Sequence, residues 1–89
     1  MRIEKIAQTV FTPLADGTGV LLNLDTLGYY SLNSTAAALW QEIDSGVGHT
    51  LADLVDYACN KYEVDDLQAH QSLREFVGRL AEFKVIRLA

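Results

Sequence analysis

A chain of 89 residues, 49% apolar and 21% charged, has room for one globular core, and a single domain over residues 1–89 is expected. Its formal net charge of −5 sets up a field that repels nucleic acid and anionic membrane, which argues against both as partners. The lone cysteine, Cys59, excludes an internal disulfide. No apolar run approaches membrane-spanning length and MRIEKIAQTVF lacks a long apolar signal core, so a cytoplasmic protein is expected.

Taken in chain order, Gln8 to Leu14 reads as a strand carrying Thr9, Val10, Phe11 and Thr12, with Pro13 marking an end or an edge. Ala15 to Gly19 is a turn built on Asp16-Gly17. In GVLLNLD, the period of two sets Val20, Leu22 and Leu24 on one face and Leu21 and Asn23 on the other. Asp25 to Gly28 is a second turn. YYSL then places Tyr30 and Leu32 on one face and Tyr29 and Ser31 on the opposite one. Three short antiparallel strands are predicted.

From Asn33 the period becomes helical. Asn33 or Ser34 caps a first helix holding Ala36, Leu39, Trp40 and Ile43, which ends in DSGVG. Thr50 and Asp53 open a second helix with Leu51, Leu54, Val55, Ala58 and Tyr62 on its apolar stripe. Val64 is a candidate staple before Asp65 or Asp66 caps a third helix, whose stripe is Leu73, Phe76, Val77, Leu80 and Phe83. VIRL is a candidate last strand. The whole is an α+β domain, winged-helix-like, with a three-stranded antiparallel sheet followed by three helices.

Little here points to catalysis, a metal or a cofactor. Cys59 falls on the apolar side of the second helix, where a free thiol behaves as a small hydrophobe. His49 and His70 stand at no ligand spacing with each other or with Cys59. No phosphate-binding glycine loop, HExxH or CxxC is present. The acidic cluster Glu63, Asp65, Asp66 suits a helix start. Asp44-Ser45 matches the dipeptide that bears the arm of acyl carrier proteins, but here Gly46 follows it at a helix end, and residues 8–32 are strand-rich. DNA binding by a winged helix is the other alternative. Its recognition helix should be basic, whereas the second helix carries Asp53, Asp56 and one Lys61, and the third sets Arg74 and Arg79 against Asp66, Glu75 and Glu82.

The adjacent tyrosines point elsewhere. If Tyr30 and Leu32 face the helices, Tyr29 faces away and is free for contact. A third strand with an open edge invites an extended peptide to add as a further strand. The third helix would form the other wall, with Arg74 available to an acidic peptide residue and Val77 and Ala81 offering apolar contact.

The runs DTLGYYSLNSTAAALWQEIDSG, HTLADLVDYACNKYEVD and FVGRLAEFKVIRL resemble the PqqD-like domain, the RiPP recognition element. The likeness rests on aromatic-x-Leu-Asn at Tyr30 to Asn33, and on the helix with Ala37, Ala38 and Trp40. Tyr62-x-Val64-Asp65 and a last helix with Phe76 and Leu80 complete it, so that it covers residues 8–88. Lys84 stands where the family often has Gly. Gly-Tyr-Tyr-x-Leu-Asn most resembles the recognition proteins of lasso-peptide clusters. That resemblance implies a non-catalytic protein without cofactor that binds the leader of a precursor peptide and presents it to a maturation enzyme, a leader peptidase or a radical-SAM enzyme. It implies a backbone edge at Leu27, Gly28, Tyr29, Tyr30, Ser31 and Leu32. His70, Arg74, Val77, Gly78 and Ala81 are the expected helical wall.

Overall fold

The first hairpin is made by local bonds. The Asp16 carboxylate accepts from the backbone N–H and the hydroxyl of Thr18, and these bonds hold its pKa below the ordinary carboxylate value. Gly17 takes φ +89°, a left-handed value that glycine adopts freely. The computed structural model describes residues 2–45 and 50–88. In it the turn joins β2 (Thr9–Pro13) to β3 (Gly19–Asn23), and β3 continues through a second turn to β4 (Gly28–Leu32). The three form an antiparallel sheet of order β2-β3-β4. Then come α1 (Ser34–Asp44), α2 (Leu51–Lys61) and α3 (Asp66–Glu82).

This is the expected α+β arrangement with one addition. β1 (Ile3–Lys5) pairs antiparallel with β5 (Ile86–Leu88) in a separate two-stranded sheet, and Ile6 N–H donates to Val85 O at 3.0 Å. VIRL does supply the last strand. Its partner was not visible in the sequence, because three residues around Ile3 carry no alternation to read.

Polarity alone would misassign the core side of β3. Leu21 is fully buried and Asn23 is 3% exposed, while Leu24 is exposed. Asn23 is buried because its carboxamide is fully employed: Nδ2 donates to Phe83 O and Lys84 O, and Oδ1 accepts from the N–H groups of Asp25 and Thr26. One side chain therefore builds the β3–β4 turn and ties it to the end of α3. Leu27 is held at φ 60° within this turn, with its N–H bonded to Asn23 O at 2.7 Å.

Each helix starts on a side-chain cap. Asn33 accepts from Ala36 N–H, Thr50 from Asp53 N–H and Asp65 from Gln68 N–H. The expected glycine stop of the first helix, Gly46 to Gly48, lies outside the described residues, as does His49. α3 ends in a Schellman pattern: Lys84 N–H bonds Ala81 O, Val85 N–H bonds Leu80 O, and Lys84 sits at φ 64°. Lysine thus occupies a left-handed position that glycine suits better. Burial of Val85 and Leu80, both fully inaccessible, holds it there. Trp40 of α1 and Leu54 of α2 complete the centre of the core with Leu21.

Candidate functional site

The register of the sheet decides which backbone groups are free. Leu14 N–H donates to Thr18 O and Leu24 N–H to Gln8 O, both at 2.9 Å. Bonded and non-bonded pairs alternate along an antiparallel ladder. The bonded pairs of β2 and β3 are therefore Thr12–Val20 and Val10–Leu22. Gly19, Leu21 and Asn23 are left to bond β4 through their partners Leu32, Tyr30 and Gly28. Tyr29 and Ser31 consequently direct their N–H and C=O groups away from the sheet, along an open edge.

Side chains follow the same parity. Tyr30 and Leu32 turn toward the helices, and Leu32 is buried. Tyr29 is 72% exposed on the outer face, in a cross-strand row with Leu22 and Val10. Leu27 is equally exposed at the head of the strand. The predicted alternation is the one the fold uses.

Facing this edge is one flank of α3. Phe83, just past the helix, stacks its ring against Tyr30 with centroids 5.5 Å apart and planes tilted by 56°. A Cβ on Gly28 would meet the Phe83 ring at 3.3 Å, so glycine is what lets the helix end approach the strand. Further along, Phe76 and Ser72 line a cleft of about 420 Å³ with Asn33 and Ala36 of the β4–α1 junction and Tyr62 after α2. Spacings of seven and four residues stack Phe83, Phe76 and Ser72 on one flank. Phe83 thus ties the end of α3 to β4, and the cleft lies beside the junction of β4 with α1.

The five residues expected as the helical wall lie in unlike surroundings. Val77 is only 5% exposed and belongs to the core with Ala69, Leu73 and Leu80. Ala81 lines a second depression, of about 430 Å³, with Asn23, Thr26, Lys84 and β5 residues. His70 and Arg74 are exposed, and with Gly78 they lie by helical spacing on Ala81's side of the buried stripe. A Cβ at Gly78 would have open space around it. Of the eleven expected residues, Gly28, Tyr29, Tyr30, Ser31 and Leu32 form β4, and Leu27 lies in the turn before it. On α3, Ser72 and Phe76 line the cleft, and Phe83 lies against Tyr30. The sequence signal for these was the apolar stripe itself, in which Phe76 and Phe83 were read as core.

Cys59 Sγ donates to Asp66 Oδ1 at 3.1 Å, and that carboxylate raises the thiol pKa, the reverse of activation. Among the described residues no three His, Cys, Asp or Glu side chains are placed to hold a metal ion. Ser45 caps the end of α1 and donates its hydroxyl to Glu42 O at 2.9 Å. No helix among the described residues is long and apolar enough to cross a membrane.

Comparison with known proteins bears on this edge. The family model for coenzyme PQQ synthesis protein D (PqqD) matches residues 18–86. No curated protein sequence matches the chain. Two solved structures superpose over nearly all of it. TbiB1 in complex with the TbiA(beta) leader peptide has TM-score 0.87 and 26% identity, covering 97% of this chain and 96% of that one. Lasso peptide synthetase B1 complexed with the leader peptide has TM-score 0.82 and 25% identity, covering 99% of this chain and 100% of the other.

Proposed function

The chain belongs to the PqqD family, and from that membership we propose that it binds the leader segment of a ribosomally made precursor peptide by strand addition to β4. The carrying observation is the pair of outward-facing residues, Tyr29 and Ser31, on a strand whose Tyr30 packs against Phe83 at the end of α3. Both similar solved structures are complexes with a leader peptide, which supports the same ligand class here.

The physical account is one of strand augmentation. Backbone bonds to Tyr29 and Ser31 give affinity without reading sequence, and alternate peptide side chains pack over Tyr30, Phe83 and Phe76 to give selectivity. The existing sheet is wholly antiparallel, and antiparallel pairing is the more stable per residue. A leader added in that sense would leave by the Gly28 end, carrying the peptide's downstream part past Leu27.

In this reading residues 1–89 are one recognition domain of winged-helix-like build, cytoplasmic and non-catalytic. It raises the effective concentration of the precursor near a separate maturation enzyme, a leader peptidase or a radical-SAM enzyme. Titration of labelled leader peptides, the TbiA(beta) leader among them, followed by fluorescence polarisation tests it. Saturable binding competed by unlabelled leader is expected, with no binding to duplex DNA at physiological salt. Salt-sensitive DNA binding without any leader binding would overturn the reading in favour of a winged-helix DNA-binding protein.

A further inference from the structure

Arg79 stands three residues after Phe76 and four before Phe83, so helical spacing puts it on their flank of α3. Phe83 fixes that flank against Gly28 and Tyr30. Three other cations are engaged elsewhere. Lys5 bonds Asp44 at 2.7 Å, Arg87 bonds Glu4 at 3.1 Å, and Lys61 bonds the Tyr57 hydroxyl at 3.0 Å. Arg79 has only a loose contact with Glu75 one turn away, 3.5 Å between charged atoms, and both side chains are more than half exposed. Such a pair holds its partners weakly and is readily exchanged.

We propose that Arg79 selects a carboxylate in the bound peptide, exchanging Glu75 for an Asp or Glu side chain that projects toward α3. This inference rests on the strand-addition reading and adds a sequence preference to it. Side chains of an added strand alternate, so those facing α3 recur every second residue. One of them would sit over Tyr30, Phe83 and Phe76 and should be apolar. The acidic residue that reaches Arg79 is then two residues from that apolar anchor. The planar guanidinium can hold a carboxylate with two parallel bonds, which an ammonium cannot. A chain of net charge −5 repels acidic peptides at long range. The preference is therefore local and confined to one position.

Selection from a random-peptide display library tests this without knowledge of the natural precursor. The wild-type chain should enrich peptides with Asp or Glu two residues from an apolar residue, and Arg79→Glu should shift that position to Lys or Arg. Arg74→Glu, on the other flank, should leave the preference as it is. For one enriched peptide, changing the acid to its amide should weaken binding about threefold to fivefold in the wild type and have no effect in Arg79→Ala. Circular dichroism melts check that each variant folds. If no peptide is enriched, the strand-addition reading itself fails. If apolar peptides are enriched with no acidic position, or with one unchanged by Arg79→Glu, the reading stands and the role of Arg79 is refuted.

Discussion

The two outer strands of the three-stranded sheet have edges of opposite character. On β2 the parity that bonds Val10 and Thr12 to β3 turns Thr9, Phe11 and Pro13 outward. Thr9 N–H is already bonded to Ile6 O at 3.0 Å, and Pro13 has no N–H to offer. A single donor, that of Phe11, is left for an incoming strand, too few to form a ladder. On β4 both outward residues, Tyr29 and Ser31, keep their donors and acceptors, and Tyr30 between them packs on Phe83. Unpaired edges invite indiscriminate pairing, and proteins commonly blunt them. One edge here is blunted by proline and by a local turn, while the other is left open beside a surface able to select what joins it. That contrast is the argument for function.

The largest expected effect comes from removing what distinguishes the helix side of β4. Tyr30→Ala deletes the ring that stacks on Phe83 and leaves a gap between strand and helix. A stability loss of about 2–3 kcal/mol is expected in urea titration, below the range for a fully buried aromatic because Tyr30 is only partly buried. Tyr29→Ala, on the outer face, should unfold at nearly the wild-type midpoint and weaken peptide binding only through the loss of one cross-strand contact.

Ser31→Pro makes the open edge resemble the blunted one. The lost N–H lies outside the β3–β4 ladder, so the domain should still fold, but leader affinity should fall at least about tenfold. Pro13→Ala, which restores a donor on β2, should leave leader affinity unchanged. Equal losses from both changes would show that the two edges do not differ in the way argued.

Smaller still is the effect expected at the helix end that carries Phe83. Lys84→Gly relieves a left-handed residue at φ 64° and should stabilise the domain by about 0.5–1 kcal/mol in the same titration. Peptide affinity should hold steady, since the bonds that Lys84 makes through its backbone survive the change.

Much of this architecture was legible in the chain. Turn residues and the period of two gave the hairpins, and Asn33, Thr50 and Asp65 announced the helix starts because capping is a local interaction. Tyr29 and Tyr30 were correctly split between the two faces for the same reason. Which flank of α3 lies toward β4 was not legible. Periodicity identifies the buried stripe of α3 but not which of its flanks meets β4, and that depends on Phe83 reaching Gly28 far away in sequence. By helical spacing His70, Arg74, Gly78 and Ala81 lie on the flank opposite Ser72, Phe76 and Phe83. β1 escaped notice on similar grounds, since its partner β5 lies at the other end of the chain.

Amide hydrogen exchange, read residue by residue with and without leader peptide, tests strand addition most directly. In the free protein Tyr29 and Ser31 should exchange quickly, while Tyr30, bonded within the ladder, should be slow. On saturation with leader, Tyr29 and Ser31 should become protected together, and Phe11 on the opposite edge should not change. Protection that appears on β2, or on neither edge while the leader is demonstrably bound, would contradict the assignment of β4 as the recognition edge.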